Sequence, residues 1–430
     1  MAREMKDSGI EWIGEIPIEW KLVPIKYVAS YNDETLGENT SLEYEFDYIE
    51  IGSVEYGKGI TQVEHLKFKD APSRARRIVR KDDIIVSTVR TYLRAIANVQ
   101  DSDNMQIAST GFVVIRAKAI NPEYLRYSIL SESFIGMVEA YSTGISYPAI
   151  NSSVVVGFKI PIPNSQKQKE IAIFLNDRCR KLDNVIEKTR ASIEEYKRLK
   201  QAVTQGIRDY REMKDSGIEW IEKIPAEWEE RRIKTLFVLR EEKNFLPLEE
   251  VNLISLYTDL GVVQHSELEK ITGNKASNAD GYKMVYRDDI VVNIILCWMG
   301  AIGCSEYNGV TSPAYDIYIP QSGVLSKFYH YYFRTKGFSG DCYKRGKGIM
   351  AMRWRTYSDQ FRDIKVVYPS LEEQQEIVTY LDQKCSAIDE LIAKKEQYLS
   401  EIKSYKKSLI YEYVTGKKEV IESYKNLEYN

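Results

Sequence analysis

The eleven residues REMKDSGIEWI stand at Arg3–Ile13 and again, without a change, at Arg211–Ile221. Carried on to Trp20 and Trp228, the comparison leaves 15 of 18 positions identical, with Ile16-Pro17 answered by Ile224-Pro225. Identity at this level across 208 positions is not chance, and the period is too long for a solenoid repeat, so the chain reads as one domain duplicated. A length of 430 residues suits two such copies, because single cores rarely grow past about 250–300 residues.

The likeness weakens along the chain but persists. KDDIIVS (Lys81–Ser87) is matched by RDDIVVN (Arg287–Asn293), and STGISYPAI (Ser142–Ile150) loosely by KGIMAMRWR (Lys347–Arg355). Ser165–Glu187 answers Leu371–Ala393, each after a proline (Pro163, Pro369) that stops a strand. These last segments predict long helices. Steps of three and four residues pick out Ala172, Leu175, Cys179, Leu182, Ile186, Thr189, Ile193, Tyr196, Lys200 and Val203 in the first. The second gives Val378, Leu381, Cys385, Ile388, Ile392, Lys395, Leu399, Ile402, Lys406 and Leu409. Four heptads with Glu, Lys, Arg and Gln between the apolar positions meet the pattern of a coiled coil. About 40 residues at about 1.5 Å each give about 60 Å, longer than one domain of this size requires. The plain alternative is that each helix packs on its own domain, as most amphipathic helices do; two equal seams in one chain are expected to pair with each other. A pseudo-twofold relation would run them antiparallel, with a globular part at either end, as in a dumbbell.

Between the opening motif and the helix each copy has period-two segments: Asp47–Val54, Asp82–Thr88, Gly111–Ala117 and Val154–Pro163 predict strands in the first. A short helix is expected over Glu123–Val138, matched by Lys327–Phe338. The fold class is α+β: two similar strand-rich globular domains separated by two long helices in an antiparallel, pseudo-twofold coiled coil. The expected boundaries are 1–163, 164–210, 211–369, 370–418 and a tail at 419–430.

A net charge of −3 exerts no global pull on a polyanion, so a nucleic-acid site would have to come from local clustering. Such clusters occur in both copies. Lys67–Arg94 carries Lys67, Lys69, Arg74, Arg76, Arg77, Arg80, Lys81, Arg90 and Arg94 against three Asp; Arg334–Arg355 carries Arg334, Lys336, Lys344, Arg345, Lys347, Arg353 and Arg355 against Asp341. Arginine can bind guanine edges through two hydrogen bonds, and interleaved aromatics such as Tyr92 and Trp354 can stack or wedge. The plain alternative is a solvated charged face.

Catalytic signatures are missing. His65, His265 and His330 are far apart and make no metal pattern, and Cys179, Cys297, Cys304, Cys342 and Cys385 lack C-x-x-C spacing. There is no phosphate-binding loop of the G-x-x-x-x-G-K-[ST] type. NPEY (Asn121–Tyr124) departs from a base-flipping N-P-P-[YF] by a carboxylate and reads as a helix start, and the paired Asp82-Asp83 and Asp288-Asp289 read as turns. No apolar run could span a bilayer, and MAREMKDSGI lacks the apolar core of a secretion signal, so a cytoplasmic protein without a membrane partner is expected.

Duplicated globular parts, two coiled-coil helices at equal spacing, MKDSGIEWIGEIP and the closing EYVTGK (Glu412–Lys417) together resemble the specificity subunits of type I restriction-modification enzymes. The resemblance spans essentially the whole chain. It implies two target recognition domains, each reading half of a bipartite double-stranded DNA site, with the helices as spacer and no catalysis by the chain itself. It also implies two methyltransferase subunits holding S-adenosylmethionine, and restriction subunits holding ATP and Mg. The differing TVRTYLRA (Thr88–Ala95) and IILCWMGA (Ile294–Ala301) predict an asymmetric site.

Contact residues do not transfer by motif in such diverging domains, so the candidates rest on chemistry. They are Arg74, Arg76, Arg77, Arg90, Tyr92 and Arg94 in one copy, and Lys344, Arg345, Lys347, Arg353, Trp354 and Arg355 in the other. For the repeated motif two readings stand: Trp12, Ile16, Trp20, Trp220, Ile224 and Trp228, with Ile13 and Ile221, offer anchors for an identical partner on each half, or they pack each globular part onto the helices. The rival for the whole chain is a duplicated coiled-coil adaptor with no role on DNA.

Overall fold

The apolar run after each Asp-Asp pair builds the centre of each domain. In the computed structural model, which describes residues 3–203, 212–258, 261–267, 278–348 and 354–420, Ile84–Ser87 is a strand with every residue buried. It lies between Ile96–Asn98 and Phe112–Ala117, and Ala29–Tyr31 completes an antiparallel sheet. Ile84 and Val86 enter one core and Ile85 another, which is why the run is continuously apolar and not alternating. The second copy repeats the order with Ile302–Cys304, Ile290–Asn293, Tyr315–Pro320 and Phe237–Leu239. The other sheets diverge. Glu64–Lys67, Glu45–Ile49, Gln106–Ser109 and Ala75–Val79 form four strands in the first copy, where the second has the pairs Ile254–Tyr257 with Gly261–Gln264 and Lys283–Val285 with Gly309–Thr311.

The Asp-Asp pairs are structural. Asp82 and Asp288 take left-handed backbone angles (φ 68° and 69°), a conformation that Asp tolerates better than most residues. Asp83 and Asp289 are buried, and each accepts from a backbone N–H three residues earlier, Arg80 and Tyr286, at 2.8 Å. Each also receives an arginine fork: Arg116 on Asp83 at 2.8 and 2.7 Å, and Arg240 on Asp289 at 2.9 Å twice.

The single helix expected at Glu123–Val138 is two, Pro122–Leu130 and Glu132–Ala140. Ser131 between them is extended, and its hydroxyl accepts from Phe134 N–H, so a capping residue inside an apolar pattern starts a new helix. The second copy breaks in the same way between Ser326–Phe333 and Lys336–Arg345, with Thr335 as the cap. NPEY is a helix start: Asn121 Oδ1 accepts from Tyr124 N–H at 2.9 Å. The strand expected at Val154–Pro163 begins only at Lys159, after a helical turn at Ser152–Val155.

By contacts the chain divides into two units, Met1–Arg190 with Gln397–Asn430, and Ala191–Glu396. The helices expected as separate spacers are therefore shared out. The first, Ser165–Val203, and the second, Leu371–Val414, each contribute a segment to both units; residues 204–210 of the expected spacer lie outside the described residues. The physical reason is visible in the first unit, where Ile171, Phe174 and Leu175 share a core with Tyr124 and Ile160. The expected tail departs too: Val420 is buried in that core and Glu419 lies 3.7 Å from Arg3. Residues 421–430 lie outside the described residues.

Within each unit the helix segments run antiparallel. In the first, Phe174 meets Tyr413 at 4.4 Å between ring centroids and Asp183 pairs with Lys406 at 2.5 Å. In the second, Lys200 pairs with Asp389 at 2.6 Å and Lys395 lies over the Tyr196 ring. Asp183 and Asp389 are equivalent under the repeat, as are Lys200 and Lys406, so each unit makes the same bridge with the helices exchanged. All nineteen expected seam residues with described side chains are buried or partly buried; the Val203 side chain lies outside the described residues.

His330 is held neutral in the second unit. Burial lowers its pKa to about 3, and Arg334, Lys327 and Lys200 push the same way, while its Nδ1 accepts from Cys304 N–H at 3.2 Å. A histidine whose folded pKa lies below its unfolded value gives stability that is complete above the unfolded value, near 6.5, and lost as pH falls toward 3. His330→Asn keeps the acceptor without the titration. The expected outcome is that urea midpoints of this variant fall less than those of the unaltered chain between pH 7 and pH 4.

Candidate nucleic-acid interface

The sequence clusters carry less free charge than their count suggests. Lys67 and Lys69 both pair with Glu43, Arg80 with Glu34, and Arg74 with Glu50. Arg94 is clamped by Glu139 at 2.7 Å and Glu132 at 3.3 Å, and the hydrogen bond to Glu139 raises its pKa. Arg76 lies over the Phe68 ring, and Arg77 is partly buried with an unsatisfied Nε, burial lowering its pKa. Arg90 has no carboxylate within ion-pair distance among the described residues; its guanidinium stands 5.2 Å from the Tyr147 ring.

Arg90 and Tyr92 lie on a loop that follows the central strand, and the backbone ties that loop to the hairpin Thr143–Ala149. Thr143 and Ala149 exchange two hydrogen bonds of 2.9 Å, Val89 bridges Ala149, and Ile150 N–H donates to Thr88 at 2.9 Å. Thr91 Oγ1 donates to Ser142 Oγ at 2.8 Å. Arg90 and Arg94 both take φ of 51° to make the turn. The two loops form one projection with Tyr92, Leu93, Ile145 and Tyr147 exposed. Sequence reasoning missed Ile145 and Tyr147. Their signal was two large apolar side chains inside a Gly-to-Pro turn, where polar residues are the rule.

The second unit places its equivalents alike. Thr356 N–H donates to Ile294 at 2.9 Å, and Lys347 and Arg355 exchange bonds of 2.8 and 3.0 Å, so the loop after Ile290–Asn293 again meets the segment after the second short helix. The chemistry there differs. Trp354 stacks on Tyr343 (5.0 Å, 22°) and donates to its carbonyl at 3.1 Å, and Trp298 meets the same Tyr343 ring at 5.6 Å. Lys344 pairs with Glu219, Arg345 lies 3.8 Å from Asp363, and Arg355 is partly buried. Arg353 lies outside the described residues.

The repeated motif is largely interior. Ile16, Trp20 and Ile224 are buried, as is Ile13, and Ile221 is partly buried. Trp12, Trp220 and Trp228 are partly exposed. The Trp12 and Trp220 rings lie so close to Gly136 and Gly337 that a Cβ there would stand 2.5 and 2.1 Å from ring carbons. Trp220 and Trp228 donate to Asp341 and Glu373 at 2.8 and 3.1 Å, and both line a cavity of about 640 Å³ with Ile221, Tyr331, Tyr332 and Ile377. All five cysteines are buried, and among the described residues no group of His, Cys, Asp and Glu could hold a metal. No described helix is long and apolar enough to cross a membrane.

The profile of the type I restriction modification DNA specificity domain matches this chain twice, at residues 17–195 and 225–401. The chain belongs to that family. Each match takes in one copy of the shared four-stranded sheet, its paired loops and one long-helix segment, so the family unit is the structural repeat. Two curated relatives come from Methanocaldococcus jannaschii. The putative type I restriction enzyme MjaX specificity subunit is 24% identical over 94% of this chain and 95% of its own length. The MjaVIII specificity subunit is 25% identical over 44% of this chain; that match spans about half, 46%, of the relative's length. The fold is shared with a chain solved in work on complex assembly and conformational transition of the type I R-M system (TM-score 0.71, 19% identity, 93% of this chain and 98% of that one). It is also shared with the HsdS subunit from Thermoanaerobacter tengcongensis (TM-score 0.50, 20% identity, 95% and 99%).

Proposed function

We propose that this specificity protein directs a type I restriction-modification complex, each unit reading one half of a bipartite, asymmetric duplex through its paired loops. One observation carries the reading: in both units the loop after the central strand is tied to the segment after the second short helix, but the described side chains there differ. Arg90, Tyr92 and Tyr147 are exposed in one; in the other Met299 is exposed and Trp354 stacks on Tyr343 of the preceding helix. A shared frame with unlike readers is what an asymmetric site requires. Phosphate contacts fall to the flanking Arg74, Lys344 and Lys347, which position without specifying.

The chain itself is non-catalytic in this reading. Methyl transfer from S-adenosylmethionine belongs to two methyltransferase subunits, and ATP- and Mg-dependent cleavage to restriction subunits. Partly exposed Trp12, Trp220 and Trp228 offer the methyltransferase its aromatic contacts.

The adaptor reading draws on the internal pairing of Arg74, Arg80 and Arg94, which removes much of the free charge. Methylome sequencing separates the two. One bipartite methyladenine motif is expected to vanish when the gene is deleted and return with the unaltered chain; an unchanged methylome favours the adaptor.

A further inference from the structure

The hairpin Thr143–Ala149 puts its most apolar residue where water is greatest. Ile145 is fully exposed at the tip, Tyr147 is exposed beside it, and Tyr92 and Leu93 stand exposed on the adjoining loop. Single exposed apolar residues are ordinary, but four on one projection form a patch of the kind that marks a binding surface. The projection is also braced. Gly144 at φ 108° opens the turn, a Cβ added there would stand 3.2 Å from the Tyr147 carbonyl oxygen, and the bonds from Thr143, Ala149, Thr91 and Ile150 fix the base. Arg90, which has no carboxylate partner among the described residues, lies against the Tyr147 ring at the foot of the tip.

A rigid aliphatic point backed by an aromatic and an arginine suits one partner, the edge of a base-pair step between phosphates. We infer that Ile145 is a wedge, entering the minor groove within the first half-site and parting two stacked base pairs, while Arg90 and Tyr147 hold the groove walls. The inference rests on the reading of this unit as a DNA reader. Aliphatic wedges unstack and kink duplexes, and pyrimidine–purine steps yield most easily. The first half-site is thus read partly through deformability, with a flexible step at a position that makes no directional hydrogen bond to the protein. In the second unit Trp354 lies folded on Tyr343, so the described side chains there supply a stacked ledge and not a point.

The test uses the full-length chain with its methyltransferase subunits and a duplex carrying the motif found by methylome sequencing. 2-Aminopurine replaces one base at a time across the first half, the methylated adenine and its neighbours excepted, because a methyltransferase flips its target base out of the stack. A severalfold fluorescence rise is expected at one step with the unaltered chain and with Ile145→Leu, and no rise with Ile145→Ser. A duplex that stays dark at every step although the complex holds it more tightly than a scrambled one overturns the wedge, as does a rise that survives Ile145→Ser. Equal affinity for motif and scrambled duplexes overturns the DNA reading itself.

Discussion

Adding three heptads to each long helix, after Ile186 and after Ile402, is expected to yield methylation of a motif with both halves unchanged and a gap about nine base pairs longer. Twenty-one added residues at about 1.5 Å each extend a helix by about 32 Å, close to the 34–36 Å of one turn of B-DNA. The lengthened protein would then present its readers to nearly the same face of the duplex. One added heptad gives about 10 Å, or about three base pairs, and turns the second half-site by about a quarter of a turn or more, so methylation is expected to fall sharply. Both insertions keep the alternation that buries Cys179, Ile186, Cys385 and Ile402. Methylome sequencing of cells carrying each variant gives the gap directly. An unchanged gap with three heptads removes the helices from the role of spacer.

Asp289→Ala is expected to destabilise the second unit by about 3 kcal/mol. The loss comes from what is left behind. Arg240 is 16% exposed at its side chain, and without the fork it keeps, among the described residues, Glu242 at 3.4 Å and the Tyr286 ring. The turn also loses the acceptor for Tyr286 N–H. Burial raises the Asp289 pKa, and Arg240 offsets part of that rise. Removing both charges, with Asp289→Ala and Arg240→Met together, is expected to recover much of the loss, since no unpaired charge then remains buried. Urea denaturation of the three variants checks this, and a double variant no better than Asp289→Ala would place the loss in the turn and not in the ion pair.

The legible parts of this protein are those whose signal is local and periodic. The repeat announced two similar units, and the three-and-four rhythm marked the seam down to Thr189, a polar residue that is buried. Ser131 was less legible because its hydroxyl starts a helix inside an otherwise apolar stretch. The free charge of the clusters was not legible for a different reason. Glu34, Glu43 and Glu50, which neutralise Arg80, Lys67, Lys69 and Arg74, stand on segments that only the folded sheet brings alongside. A window along the chain counts the cations and misses their partners. Ile145 escaped because an apolar residue in a sequence is first assigned to a core, and only its place at a hairpin tip shows that it has none.

The division of the long helices bears on the order in which the protein is made. The second unit is one unbroken stretch, Ala191–Glu396, so all of it has been synthesised before the last segment emerges. The first unit needs Gln397 onward, where Leu409, Ile410, Tyr413 and Val414 complete its core and Val414 accepts a hydrogen bond from the buried Tyr124 hydroxyl at 3.2 Å. The half translated first is therefore closed last. Until residues 397–414 have emerged, the apolar side of Ile171, Phe174 and Leu175 stays uncovered, and a released chain truncated after residue 396 would carry a finished second half and a sticky first one.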